Sequence, residues 1–223
     1  MDDEARPTRQ QISDAVDPAG WCLIRGAIYA EVPVPTLAEA AEAAVLAISA
    51  TGDDGQGHLT VDIRADRAVL RLHSADVGAV TGQDVRLAHV MARALTAERF
   101  RLEPGAVQAI EIAIDALDIG LVRPFWKAIT GYADEPGSEL QEALVDPSGR
   151  GHVIWFQQMD APRPQRNRIH IDVDVPHEEA GARIDAAIAA GGRLLSDAAA
   201  PAFWVLADQE GNEACVCTWQ GRD

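Results

Sequence analysis

Three cysteines, one lysine and a short arginine group are the first side chains to weigh for chemistry in this chain. Cys215 and Cys217 lie two apart, too close for an ordinary bridge and without C-x-x-C spacing, so with Cys22 they make no disulfide framework. Lys127 is the only lysine, and no glycine-rich phosphate loop precedes it. A P-loop is therefore absent, and Schiff-base chemistry would rest on that residue alone. No G-x-S-x-G occurs, which removes the nucleophile elbow of α/β-hydrolases. Arg163, Arg166 and Arg168 could hold an anionic substrate, but beside a proline-containing linker they read first as a solvated loop. Trp126, Trp155, Trp204 and Trp219 read as core or pocket wall, and Glu178 and Glu179 as first-turn helix charges.

The frame for these residues is 223 positions long with a mass of 23.9 kDa, enough for one large or two small domains. Lys plus Arg is 19 and Asp plus Glu is 35, a formal charge of −16. That field repels phosphate backbones and argues against a nucleic-acid partner. Hydrophobic content of 48% supports a real core. No apolar run reaches the roughly 18 residues of a membrane span. The start, Met1-Asp2-Asp3-Glu4, is acidic, unlike a signal or transit peptide, so a soluble cytoplasmic protein is expected.

The first dozen residues, polar and charged, read as a loose arm. Trp21 to Val34 reads as a strand, ended by Pro33 and Pro35. Thr36-Leu-Ala-Glu39 is a capping box opening an alanine-rich helix to about Ala50. His58 to Arg64 alternates with period two, and Ala68 to His73 returns as its hairpin partner. Thr81-Gly-Gln-Asp84 opens a helix with Val85, Leu87, Ala88, Met91 and Leu95 at helical spacing. Leu102 to Gly105 is the expected linker.

Beyond it one pattern runs twice. Ala109 to Leu117 reads as a strand, and Asp118 caps a helix with Leu121, Val122, Phe125, Trp126 and Ile129 on one face. Pro124 should kink that helix. Short strands follow, ending in His152 to Gln158. After a linker over Asp160 to Asn167, Arg168 to Val175 reads as a strand and Glu178 to Ala190 as a helix stopped by Gly191-Gly192. Three short strands then finish at Trp219. Each copy is βαβββ over roughly 55 residues, which implies two units sharing one interface. The expected fold class is α+β: an N-terminal antiparallel sheet with covering helices over 1–103, and paired βαβββ modules forming a half-barrel over 106–223.

Ile110-Glu-Ile-Ala-Ile-Asp-Ala-Leu-Asp118 with Phe125-Trp126, then Asn167-Arg-Ile-His170-Ile-Asp172, then Asp208-Gln-Glu-Gly-Asn212-Glu-Ala-Cys215 give the second half its resemblance. It resembles the glyoxalase-like vicinal-oxygen-chelate superfamily, which includes glyoxalase I, extradiol dioxygenases and bleomycin-resistance proteins. That resemblance implies a divalent metal between two modules, with ligands from the first and last strands of each. Glu111 and His170 fall on equivalent first-strand positions and Cys215 on a last-strand ligand position. The fourth is Gln157, with the register open between it and Trp155. Cys215 would favour zinc over manganese or magnesium. Against this, Glu111 and His170 read as polar groups lining a pocket and paired with one another. Glu213 is expected on the strand face opposite Cys215.

The first half resembles pterin-4a-carbinolamine dehydratase in layout and in Gly78, Thr81 and Asp84. That family's His-His-Pro and Thr-His signatures fall on Gly57-His58-Leu59 and Ser74-Ala75, so His58 alone survives, with His73 a partial substitute. Losing one proton-transfer group commonly costs about 10²–10⁴-fold.

Two classes of function follow from these resemblances. One is an enzyme of the lyase or dioxygenase type acting on a small molecule, with Glu111 or His170 as ligand or base and a divalent metal where one is bound. The other is a binding protein that sequesters a small, partly aromatic ligand without turnover. Residual carbinolamine dehydration at His58 is a third reading. The resemblance also implies a homodimer.

Overall fold

The computed structural model of this protein describes residues 7–105, 107–136, 143–162, 165 and 169–221. Its contacts divide the chain into two units, one running to Ala109 and one from Ile110, apart from a short stretch at Pro136 that groups with the first.

The first unit opens on α1 (Arg9–Val16). The Thr8 hydroxyl accepts from the Gln11 N–H at 3.2 Å, and the Gln11 side chain accepts from the Thr8 N–H at 2.9 Å. This reciprocal cap satisfies two amides that a helix start leaves without partners. The described part of the expected loose arm is therefore a helix, pinned to the core by buried Ile12 and Val16. Residues 1–6 lie outside the described residues.

The stretch read as one strand from Trp21 to Val34 is a hairpin, β1 (Cys22–Ile24) and β2 (Ala27–Pro33). The chain reverses at Arg25-Gly26, where Arg25 takes the left-handed φ of 54°. Next come α2 (Leu37–Thr51), β3 (Leu59–Arg64), β4 (Arg67–Leu72) and α3 (Gly82–Ala97). The sheet runs β1-β2-β4-β3, antiparallel throughout. Alternation on β2 and β4 sends Ile28, Ala30 and Val32 inward opposite Leu72, Leu70 and Ala68. Both helices cover this face. α2 buries Ala40, Ala43, Ala44 and Ala47, and α3 buries Val85, Leu87, Ala88, Met91 and Leu95.

The second unit contains the repeat. Its first copy is β5 (Glu111–Ala116), α4 (Ile119–Thr130), β6 (Ala133–Asp134), β7 (Ala143–Val145) and β8 (Val153–Gln158). Its second is β9 (Ile171–Asp174), α5 (Ala180–Ala189), β10 (Arg193–Ser196), β11 (Phe203–Ala207) and β12 (Glu213–Cys217). The sheets run β5-β8-β7-β6 and β9-β12-β11-β10. In each, the first and last strands of the copy pair in parallel and the rest pair antiparallel. The two sheets remain separate, so no closed barrel forms among the described residues.

Asp118 caps α4 by accepting from the Leu121 N–H at 3.1 Å, and the helix runs on through Pro124 to Gly131, whose φ of 72° ends it. The helix expected from Glu178 starts as a 3₁₀ turn, His177–Glu179, before α5. Arg163, Arg166, Asn167 and Arg168 lie outside the described residues, and the strand expected from Arg168 is described from Ile171. Lys127 is ion-paired, its Nζ 2.7 Å from Asp134, which also receives Arg123 at 2.6 Å.

Val122, Phe125, Trp126 and Ile129 of α4 pack in one cluster with Ile114, Ile154 and Phe156 of the first sheet and Ile184, Leu206, Ala214 and Val216 of the second copy. The two copies thus share a single core. The loop before β12 reinforces it. Asp208 is fully buried and accepts from the Trp126 indole at 3.0 Å, the Asn212 amide at 2.8 Å, and the Glu210 and Asn212 N–H groups at 3.0 and 2.8 Å. Glu210 reaches the other copy and accepts from the Leu117 and Asp118 N–H groups at 2.8 and 2.7 Å, where the dipole of α4 favours a negative charge.

Candidate functional site

Period two sorts each sheet of the repeat into a core face and an outer face. On β5 and β8 the core side takes Ile112, Ile114, Ile154 and Phe156. The outer face carries the rungs Glu111–Val153, Ala113–Trp155 and Asp115–Gln157. On β9 and β12 the core side takes Ile171, Ala214 and Val216, and the outer face carries the rungs Asp172–Cys215 and Asp174–Cys217. His170 precedes β9 with the same parity.

Three of these outer-face side chains converge. The ligand atoms of His170, Asp172 and Cys215 all lie within 4.8 Å of one another. His170 Nδ1 is 3.0 Å from Asp172 Oδ1 and 3.7 Å from Cys215 Sγ. The first contact is a hydrogen bond in which the imidazole N–H donates to the carboxylate, since an ionised carboxylate can only accept. His170 and Asp172 are exposed, whereas Cys215 is buried. Burial, foremost, pushes the Cys215 thiol up to about 12; the Asp172 carboxylate that it faces and the negative fields of Cys217 and Glu213 add to the shift. The group is therefore a thiol at neutral pH. Glu213 lies two residues before Cys215 on β12, so it shares the outer face, correcting the expectation that it faces away.

Glu111 and Gln157, the other expected ligands, lie on the first copy's sheet. Glu111 is exposed at the start of β5 and, among the described residues, is not in the His170–Asp172–Cys215 group. Gln157 sits opposite Asp115, and the distance along the strands from the Glu111–Val153 rung to the Asp115–Gln157 rung is roughly 13 Å at about 3.3 Å per residue. With Glu111 matched to His170, the ladders place Trp155 where Cys215 stands and Gln157 where Cys217 stands. An indole offers a hydrogen-bond donor and no metal-ligating lone pair. The first copy therefore lacks the second donor that its counterpart has.

In the first unit, His58 closes the turn before β3. Its Nδ1 is 2.8 Å from Asp84 Oδ1, with the carboxylate fully buried and the imidazole 14% exposed. The other oxygen of Asp84 accepts from the Thr81 N–H at 2.7 Å and the Thr81 hydroxyl at 2.8 Å. Asp84 thus caps α3 and orients His58 at once. In the neutral imidazole a proton on Nδ1 satisfies this carboxylate, and Nε2 then carries the lone pair of a general base. His73 lies alongside, its N–H donating to the His58 carbonyl at 3.0 Å.

Sequence reasoning missed two partners. Asp172 was legible as a period-two neighbour of His170. Asp84 reads as a helix cap, and no local spacing joins it to His58.

Residues 111–217 match the family model for the glyoxalase-like domain, so the C-terminal half carries a domain of that class; the match does not extend into the first half. No curated protein matches the chain. Among solved structures the chain is similar to a glyoxalase-related enzyme from Fulvimarina pelagi, with 19% identity, a TM-score of 0.40, and coverage of 50% of this chain and 87% of that one. It is also similar to a glyoxalase/bleomycin resistance protein/dioxygenase family enzyme from Burkholderia phytofirmans PsJN, at 17% identity and a TM-score of 0.37, covering 48% and 95%. A third is the fosfomycin resistance protein FosX from Listeria monocytogenes, at 14% identity and a TM-score of 0.39, covering 51% and 90%. No described helix is long and apolar enough to cross a membrane.

Proposed function

We propose that the C-terminal half binds a small molecule on the outer face of its repeat and transforms it, metal-assisted, in a lyase- or dioxygenase-type reaction. One observation carries this reading: His170 and Cys215, far apart in sequence, meet on a face the shared core does not use. His170 and Asp172 keep about half of their side-chain surface in water, so a ligand can reach both beside the buried cysteine. A bound divalent ion would supply Lewis-acid polarisation of the ligand's oxygens. His170 and Glu111 are the candidates for ligand or base, and with His170 as ligand the proton transfer falls to Glu111. The same face without turnover is a sequestering pocket, and product formation separates the two forms of the reading. We also propose that the protein works in the cytoplasm as a homodimer.

The test is a thermal-shift and calorimetric panel of divalent metals, aromatic small molecules and pterins. A ligand at about 100 times its Kd adds roughly 2.7 kcal/mol to stability. The expected result is a small molecule that stabilises the parent and loses that effect in His170→Ala. Ligands acting equally on parent and variant would contradict the reading.

A second reading is favoured by the His58–Asp84 pair. An imidazole fixed at Nδ1 by a buried carboxylate is suited to proton transfer, so the first unit is a candidate for residual carbinolamine dehydration. Pterin turnover unchanged by His58→Ala would end it.

A further inference from the structure

The geometry points to a zinc-class ion held by the second copy alone, with His170, Asp172 and Cys215 as its three protein ligands and a fourth position left to water or ligand. This deepens the proposal above, since it specifies the metal site of that outer face. It departs from a site divided between two modules.

The separations between the donor atoms carry this assignment. In a tetrahedral zinc site with Zn–N and Zn–O near 2.0 Å and Zn–S near 2.3 Å, nitrogen and sulfur ligands stand roughly 3.5 Å apart and nitrogen and oxygen roughly 3.3 Å. Here His170 Nδ1 stands 3.7 Å from Cys215 Sγ and 3.0 Å from Asp172 Oδ1. The third pair, Asp172 with Cys215, is within 4.8 Å. Two of the three pairs thus sit near ligand-to-ligand spacing before any ion enters, and the third lies within 4.8 Å.

The backbone supports that spacing. Asp172 and Cys215 are direct partners on the parallel ladder between β9 and β12, so their Cβ atoms project side by side. His170 is two residues before Asp172 and shares its face. β12 is an interior strand between β11 and β9, which fixes the sulfur more firmly than a loop would. On ion binding the imidazole proton moves from Nδ1 to Nε2 by exchange with solvent, which frees Nδ1 to ligate, and the thiol proton leaves to solvent; no oxidant or reductant is required. Imidazole, carboxylate and thiolate together suit zinc, and the thiolate disfavours magnesium, calcium and manganese. In the first copy the corresponding positions are Glu111, Ala113 and Trp155, which offer one donor, so a matching site cannot form there.

The test uses the full-length, tag-free protein, reduced and stripped with chelator, then titrated with zinc and with cobalt(II). The expected result is one ion per chain and a near-ultraviolet sulfur-to-cobalt charge-transfer band. Cys215→Ser should abolish the band. Asp172→Ala should weaken zinc binding by more than about 100-fold, beyond the 10–100-fold that loss of an outer hydrogen-bond partner costs. Glu111→Gln should leave affinity unchanged. Absence of zinc binding, cobalt binding without the band, or affinity lost on Glu111→Gln would each overturn the proposal. Should a variant fail to fold, the band and stoichiometry of the parent still decide. Small-molecule binding that survives in metal-free protein, with no zinc site found, would sink this inference and leave the broader reading standing.

Discussion

Asp172 and Cys215 are paired on adjacent parallel strands, and His170 Nδ1 stands 3.0 Å from the carboxylate and 3.7 Å from the sulfur. This contact places three chemically different donors on the outer face of one sheet. Burial, with the Asp172 carboxylate alongside, makes the thiol unusually reluctant to ionise.

Cys215 is therefore expected to resist alkylation. Burial, then the Asp172 carboxylate, raises its pKa to about 12, and the thiolate is the nucleophile. Iodoacetamide at pH 8 should modify native Cys215 far more slowly than the same residue in denatured protein, as read by peptide mass spectrometry. The raised folded value contributes stability below the ordinary thiol pKa of about 8.5, and that contribution fades as pH rises toward 12. Fast modification at pH 8 would contradict the burial.

Asp208→Ala should be among the most damaging single changes in the second unit. It strips partners from the Trp126 indole, the Asn212 amide and two backbone N–H groups around a buried position. Each buried donor left without a partner costs about 1–3 kcal/mol, so a loss above about 3 kcal/mol is expected in chemical denaturation. A loss under about 1 kcal/mol would contradict the network's role.

Ile12→Ala tests whether the N-terminal helix belongs to the core. Ile12 is 4% exposed, and removing such a side chain typically costs 2–5 kcal/mol. A loose arm would show almost no change.

Asp134 should give an acid-dependent contribution. Hydrogen bonds from Lys127, then Arg123, hold its carboxyl below the ordinary range. The interaction therefore stabilises the fold above about pH 4 and fades as pH falls through the ordinary and then the folded value. The stability gap between parent and Asp134→Asn, measured in denaturant, should be widest near neutrality and close toward pH 3. A gap that widens on acidification would reverse the assigned sign.

The sequence made some of this legible and hid the rest for identifiable reasons. Thr36 with Glu39 and Thr81 with Asp84 announced α2 and α3 because a cap is a local signal within three residues. Thr8 with Gln11 carries the same signal, but the polar residues around it suggested an arm. The tandem βαβββ pattern was readable from period alone, whereas the meeting of His170 with Cys215 followed from the resemblance, which puts both on ligand positions of one copy. The register of β5 against β8 was not, because a parallel ladder's offset is set by the long connection through α4, β6 and β7. That offset decides between Gln157 and Trp155. The His58–Asp84 pair was hidden because Asp84 already had a sufficient explanation as a helix cap.

The most direct test of the account is a nuclear magnetic resonance titration of isotope-labelled, metal-free protein with zinc, following histidine ring and backbone signals together. One equivalent is expected to shift the His170 ring and the amides around Asp172 and Cys215, and to leave His58 and Glu111 in place. Saturable changes centred on His58, on His152 or on Glu111, with His170 unmoved, would contradict it.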